Sequence, residues 1–300
     1  MNLNIDIPKG KFVVAVSGGV DSVVLLDILM SSQLPTPNSQ LIVAHFDHGI
    51  RQDSAKDAKL VKDLAKKYKL NYESEEANLG EGTGEAEARD KRYEFLYKIK
   101  QKYSADALMT AHHQDDLIET SMINILRGTG RRGLSSLKTT KTAIRPLLDI
   151  PKKTLIEYAV TNKLEWNEDS TNEDIKILRN YLRLKVVAIM TEGQRDEWLK
   201  ILHSARQIND RLDYEIQNIL HRGLHKNQPV LSRSWFIMLP YDVSKEVLLT
   251  ILYNIGLKDI DKKTIERLTV QIKTLPSGKV LQATGVDIVL TKRSARFKNR

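Results

Sequence analysis

The chain contains no cysteine. That absence excludes disulfides, thiolate catalysis, cysteine-based zinc sites and iron–sulfur clusters. Nor is there an apolar run of the length needed to cross a bilayer. Residues 1–11 lack the basic-then-apolar layout of a signal peptide, so the expected location is the cytoplasm, with no membrane partner. No internal repeat and no low-complexity segment interrupts the sequence. What is there is the composition of a soluble globular protein. Its 300 residues, 41% hydrophobic and 28% charged, suffice for one large domain and a smaller one with ample core.

The formal net charge is +9 and the isoelectric point is near 9.4. The charge is unevenly placed. Residues 201–300 carry 17 Lys/Arg against 9 Asp/Glu, whereas residues 1–200 are close to neutral. A neutral half joined to a basic half points to a polyanionic partner, although a basic surface serving only solubility has the same composition.

The most informative stretch is Ser17-Gly18-Gly19-Val20-Asp21-Ser22. An apolar β-forming run, Phe12 to Val16, leads into it, and a helical pattern from Val20 to Met30 leads out. The order is buried strand, glycine turn, helix N-terminus. Adjacent glycines let backbone N–H groups approach an anion, and the helix presents its positive end to the same point. Ser17 and Ser22 add hydroxyls. Asp21 is the odd member: a carboxylate inside a phosphate cradle repels the ligand unless a divalent cation sits between them. The stretch therefore predicts a nucleotide site with magnesium; an ordinary tight βα turn is the plainer reading. The P-loop pattern fails, because no Gly-Lys-Ser/Thr follows and no lysine lies in the loop. The Gly-x-Gly-x-x-Gly dinucleotide fingerprint is absent too.

Further along, Leu41–Phe46 reads as a second buried strand, Ala55–Tyr68 as a helix, Glu85–Tyr103 as a charged helix, Ala107–Ala111 as a strand and Gln114–Arg127 as a helix. This alternation predicts an α/β fold with a doubly wound, mostly parallel sheet. Ligands of such sheets lie beyond the carboxyl ends of the strands, where Ser17, the His45–Arg51 stretch and the His112–Asp116 stretch all fall. Residues 128–133 read as a loop, Pro151 as the first residue of a helix to Lys163, and Ile177–Met190 as helical. A long charged helix, Glu192–His221, reads as a connector. From Val230, short strands and helices near Ser244–Ile255 and Lys262–Lys273 suggest a small basic α+β domain. The expected division is residues 1–190, a connector at 191–222, and 223–300.

Three more constellations carry chemistry. After the second strand, His48 can stack on or bond a base and Arg51 can reach a phosphate; a satisfied strand-end histidine is the alternative. The run His112-His113-Gln114-Asp115-Asp116, with Glu119 one turn on, clusters ionisable groups at a strand-to-helix junction. Asp115 and Asp116 suit simple helix-dipole capping, but in the functional reading one of them joins Asp21 around magnesium. Arg127, Arg131 and Arg132 among glycines let guanidinium groups and backbone approach phosphates. The segment Trp166–Asn172, followed by Arg179 and Arg183 one turn apart, suggests no chemistry from its residues alone.

The glycine loop resembles that of the N-type ATP pyrophosphatases, which hold ATP there and break its α–β bond. Thiouridine- and thiocytidine-forming members of that superfamily use cysteines or a cluster, and glutamine-hydrolysing members use a cysteine nucleophile. A cysteine-free chain fits a ready-made amine nucleophile instead. The ordered set of the loop, His48–Arg51, Ala88–Tyr93, the His112–Thr120 block, Arg127–Gly130, Arg145–Leu148, Trp166–Asn172 and Arg179–Arg183 is similar to that of the tRNA(Ile)-lysidine synthetases over about residues 12–190. The remainder looks like the basic middle domain of that family, as in a short form or a long form cut after that domain.

The resemblance implies that ATP adenylates the wobble cytidine of an isoleucine tRNA with a CAU anticodon, and that free lysine then displaces AMP to give lysidine. It implies nucleotide binding by Ser17, Gly18, Gly19, Val20, Asp21, Ser22, His45, His48 and Arg51, and magnesium on Asp21 and Asp116. Catalysis is expected from Asp21, Asp115, Asp116 and Glu119, with Asp115 or Glu119 as base. Lysine or tRNA contacts are expected from Glu87, Arg89, Arg92, Arg127, Arg131, Arg132, Arg179, Arg183, Arg206, Arg211 and Arg222. A homodimer is one state open to such a chain. Two other functions stand beside this one: an ammonia-using enzyme of the superfamily such as an NAD synthetase, and a tRNA-binding protein without catalysis.

Overall fold

The computed structural model describes residues 3, 5–31, 40–49, 54–77, 79, 84–168, 174–224, 230–257, 260–283 and 285–300. They form two compact units, Met1–Ala205 and Arg206–Arg300.

The first unit is built on five parallel strands: β1 (Lys11–Ala15), β2 (Gln40–Asp47), β3 (Asn71–Glu76), β4 (Ala107–Met109) and β5 (Ala143–Ile144), in the order β3-β2-β1-β4-β5. Strand β1 is apolar from Phe12 to Ala15 because both faces are covered, as parallel sheets require. Phe12 and Val14 join the side of α1 (Val20–Ser31) and α6 (Lys152–Thr161). Val13 joins the other side, against Phe95, Leu96 and Ile99 of α3 (Glu85–Lys102). Helix α2 (Ser54–Lys67) packs by Val61 and Ala65. The order of strand addition reverses between β1 and β4, which run parallel, and the segments leaving those two strands are the glycine loop and His112–Asp116. This is the switch point where α/β sheets form their ligand crevice.

Helix α4 (Gln114–Leu126) follows β4. Where a loop was expected after it, Arg131–Leu134 forms a short helix, α5. The helix expected over Ile177–Met190 breaks: α7 spans Leu178–Lys185 and a 3-10 turn covers Val187–Ile189. Pro151 stands just before α6 rather than within it, its missing N–H costing nothing there. Helix α8 (Glu192–Gly223) contributes to both cores. Trp198, Leu199 and Leu202 pack with Leu117, Leu137 and Leu148 in the first unit, while Ile216 and Leu220 belong to the core of the second.

The second unit has an antiparallel sheet, β6 (Val230–Ser232), β7 (Val280–Ala283), β8 (Val286–Leu290) and β9 (Ser294–Asn299), in the order β6-β9-β8-β7. Helices α9 (Arg233–Met238), α10 (Tyr241–Asn254) and α11 (Lys262–Thr274) complete it. Arg233 is buried and spends its guanidinium on the carbonyls of Ile272, Leu275 and Thr291, closing the C-terminal end of α11.

Candidate active site

The glycine loop is tied to itself by its two serines. The Ser17 N–H donates to Ser22 Oγ at 3.1 Å, and Ser22 Oγ donates to the Gly19 carbonyl at 2.9 Å. Gly18 has φ +97°, and a Cβ there would stand 3.2 Å from the Cβ and Oδ1 of Asp57, so only glycine fits. Asn167 locks the arrangement from outside. Its N–H donates to the Gly18 carbonyl at 3.1 Å and its Nδ2 to Asp57 Oδ1 at 2.7 Å. The Trp166-Asn167 segment, unassigned from sequence, thus buttresses the loop; residues 169–172 of that motif lie outside the described residues. The buried Asp57 gave no sequence signal.

A pocket of about 380 Å³ opens at the strand ends, with Ser17, Gly19, Asp21, Ser22, His45, His48, Arg92, His112 and Asp116 among its walls. Arg51 lies outside the described residues. His45 is buried; its Nδ1 donates to the Val16 carbonyl at 2.9 Å, and its Nε2 has no partner among the described residues. A buried acceptor without a donor is costly, and a ligand N–H or O–H entering the pocket satisfies it. His48 stands edge-on to Phe46 with ring centroids 5.0 Å apart. Burial pushes His112 down to about 3, so it lines the pocket as a neutral ring, bonded to Thr110 at 2.8 Å.

The carboxylates come together, each with a cation. Asp21 takes both oxygens to Lys152 Nζ, at 2.6 and 2.7 Å. Burial works against its charge, but His113 and Lys152 outweigh burial and hold it at about 2. His113 Nε2 lies 3.6 Å from Asp21 Oδ2 and 3.4 Å from Asp116 Oδ2, between the two carboxylates expected to share magnesium. Among the described residues no three acidic or histidine side chains already form a cation site. Two carboxylates completed by phosphate oxygens and water are nevertheless a usual magnesium set, and Asp21 and Asp116 fit that description. Asp115 is engaged by Arg195 at 3.0 Å and by the Lys152 N–H at 3.2 Å.

Glu119, expected as a base, is fully buried and held bidentately by Arg183, at 2.8 and 3.0 Å. Burial raises its carboxyl above the ordinary range, and Arg183 offsets only part of that. Both of its oxygens are on Arg183, whose Nη2 also lies 3.5 Å from Asp116 Oδ1. Arg183, expected on tRNA, pairs here with Glu119 and Asp116. Arg89 and Arg92 both stack on Tyr93, and of the two Arg92 reaches the pocket wall. Glu87 is exposed on α3 and is not among the pocket walls. Val20 and Arg179 are half-buried, Arg131 and Arg132 are half-buried on α5, and Arg127 is exposed at the end of α4. Arg206, Arg211 and Arg222 lie on α8 within the second unit, away from these elements in sequence. Lys152 was missed, although a lysine opening a helix opposes the dipole and signals a nearby carboxylate.

Residues 2–190 match the family described as PP-loop domain. A tRNA(Ile)-lysidine synthase from Lactobacillus gasseri is 42% identical over 195 residues, which are 62% of this chain and 45% of that protein. One from Mycoplasma mycoides is 34% identical over 236 residues, 76% of this chain and 57% of that protein. The chain thus spans about half the length of such relatives. Among solved structures, the U34-tRNA thiolase NcsA from Methanococcus maripaludis superposes with a TM-score of 0.54 at 21% identity, over 69% of this chain and 73% of that one, a likeness of fold.

Proposed function

The chain belongs to the PP-loop family, and from that premise we propose that it is an ATP-dependent ligase joining free lysine to C2 of the wobble cytidine of an isoleucine tRNA with a CAU anticodon. The observation that carries the reading is the ionised Asp21 inside an anion cradle, with Asp116 beside it across His113. The likeness to tRNA(Ile)-lysidine synthases supplies the substrate class.

The loop N–H groups and the α1 N-terminus hold the phosphates of ATP at the mouth of β1. Asp21 and Asp116 are the residues that would hold magnesium, which supplies neutralisation of charge on the departing pyrophosphate. The cytidine O2 attacks the α-phosphorus and pyrophosphate leaves. The ammonium of free lysine gives one proton to a carboxylate such as Asp115, its Nζ attacks C2, and AMP departs with that oxygen while the second amine proton passes to solvent. Asp115 and Asp116 give the incoming ammonium an acidic approach, while Glu119 is closed to it by Arg183. The exposed basic residues of the second unit, Arg211 and Arg222 among them, suit a tRNA backbone. Among the described residues no helix is long and apolar enough to cross a membrane, and the cytoplasm is where the proposed substrates meet.

The test is transfer of radiolabelled lysine to matched tRNAs with CAU and UAU anticodons. Both bases have a C2 carbonyl, but only cytidine has a C4 amine to share the positive charge left by adenylation. A site accepting from that amine also faces the uridine carbonyl with an unpaired acceptor, at about 1–3 kcal/mol. Labelling of the CAU tRNA alone is expected. Comparable labelling of both refutes the proposal, and ATP–pyrophosphate turnover that ignores tRNA favours an ammonia-using enzyme instead.

A further inference from the structure

The glycine loop contains no lysine, yet a lysine reaches it. Lys152, 131 residues downstream of Asp21, places its Nζ 2.6 and 2.7 Å from the two oxygens of that carboxylate. It does so from the first position of α6, where the helix dipole disfavours a cation. Its backbone N–H is spent on Asp115, which fixes the helix start, while the side chain is 32% exposed and meets Asp21 at the edge of solvent. Lys152 therefore stands where a divalent cation on Asp21 would stand, and the two compete for the same oxygens.

We propose that Lys152 is a phosphate-binding residue: it pairs with Asp21 as seen here and passes its ammonium to the pyrophosphate portion of the nucleotide when a divalent cation takes Asp21. The proposal rests on the reading of the pocket as an ATP site. An ammonium on a four-carbon stem suits such a transfer, because it is a compact charge with three rotatable donors and needs no fixed plane. It gives the loop the cation that its own sequence lacks. The arrangement has consequences of opposite sign. Removing the ammonium frees Asp21 for the metal and deprives the pyrophosphate of a partner, whereas a lysine that only anchored α6 would, on removal, weaken both.

The experiment compares the full-length wild type with Lys152→Gln and Lys152→Arg. Manganese binding without nucleotide is read by electron paramagnetic resonance; pyrophosphate and AMP binding, with magnesium present, are read by calorimetry. Lys152→Gln is expected to bind manganese several-fold more tightly. Its pyrophosphate affinity should fall about tenfold or more, the worth of one charge-assisted hydrogen bond. AMP binding, which lacks the β- and γ-phosphates, should change less than twofold, and Lys152→Arg should recover part of the pyrophosphate affinity. Unchanged pyrophosphate binding, or manganese binding that weakens or stays the same, overturns the proposal. A readout on the wild type stands even where a variant fails to fold: with 13C-labelled lysine, adding magnesium and pyrophosphate together must shift the Lys152 side-chain resonance, and a static resonance refutes the transfer. A wild type that binds no pyrophosphate at all refutes the ATP reading itself, a distinct failure.

Discussion

Removing one partner of the Glu119–Arg183 pair should cost unequal amounts, depending on which partner goes. Glu119 is fully buried, and Arg183 is 33% exposed. In Arg183→Met a carboxylate is left in the interior without its bidentate partner, a loss of about 3–5 kcal/mol. In Glu119→Gln the guanidinium keeps Asp116 at 3.5 Å and its access to water. The neutral amide still offers one acceptor, so the cost is about 1–3 kcal/mol. Replacing both, as Glu119→Leu with Arg183→Met, removes the two desolvated charges together and should cost clearly less than the sum. Urea unfolding gives the totals, and hydrogen exchange of the α4 and α7 amides localises the loss. Equal single costs with no coupling would refute a closed pair. Activity separates the two roles of the carboxylate: a base is abolished by Glu119→Gln at unchanged stability, whereas a positioning residue loses turnover only as α7 loosens, with Asp116 chemistry intact at high lysine concentration.

Gly18→Ala should destabilise the first unit by about 1–3 kcal/mol, because alanine is strained at φ +97° and its Cβ meets Asp57; a thermal midpoint equal to wild type would contradict the close packing of loop on α2. Asp27 accepts the hydroxyls of Tyr68 at 2.6 Å and Tyr158 at 2.8 Å, and burial, then the bond to Asp27, raises Tyr158 to about 12. A raised folded value means stability present below pH 10 and lost as pH climbs toward 12. Tyr158→Phe should therefore cost stability at pH 7 and flatten the alkaline fall, which a series of urea midpoints against pH will show or deny. Binding of tRNA should fall with salt by about 0.7–0.9 logarithmic units per decade for each phosphate contact. Arg211→Glu with Arg222→Glu should reduce that slope without changing ATP affinity; a wild-type slope of zero excludes a nucleic-acid substrate.

Strands β1, β2 and β4 were legible because they are covered on both faces, so Phe12–Val14, Leu41–Ala44 and Ala107–Met109 are apolar without interruption. Strand β3 was not. It is the sheet edge, and Asn-Tyr-Glu-Ser-Glu-Glu carries almost no apolar pattern. Its charges instead pair with α3, Glu73 with Lys102 and Tyr103, and Glu75 with Lys98. Such charges also guard an edge against foreign strands. Strand β5 has two residues, too short for any periodicity. The break in α7 follows from Val186, where φ −120° and ψ −61° leave the helical path.

The site divides along a similar line. Its carboxylates were legible because each lies beside a local signal: Asp21 within the glycine turn, Asp115 and Asp116 in the first turn of α4. Their cations were not, since Lys152 comes from 131 residues beyond Asp21, Arg195 from 80 beyond Asp115, and Arg183, beside Asp116, from α7. Which carboxylate is free to act is decided by those partners and not by its own neighbours in the chain. Glu119 shows the consequence. By spacing it lies one turn from Asp115 and Asp116 and is as good a base as either. By environment it is buried at the back of α4, and an arginine from α7 consumes both its oxygens. Asp21 lies in the same cluster with the opposite outcome, because its partner is a lysine whose head is partly in water. A bidentate guanidinium fixes a carboxylate, and an ammonium on a flexible stem can give one up. Arg183 thus holds Glu119 through two nitrogens, one on each oxygen, whereas Lys152 meets both oxygens of Asp21 with a single nitrogen.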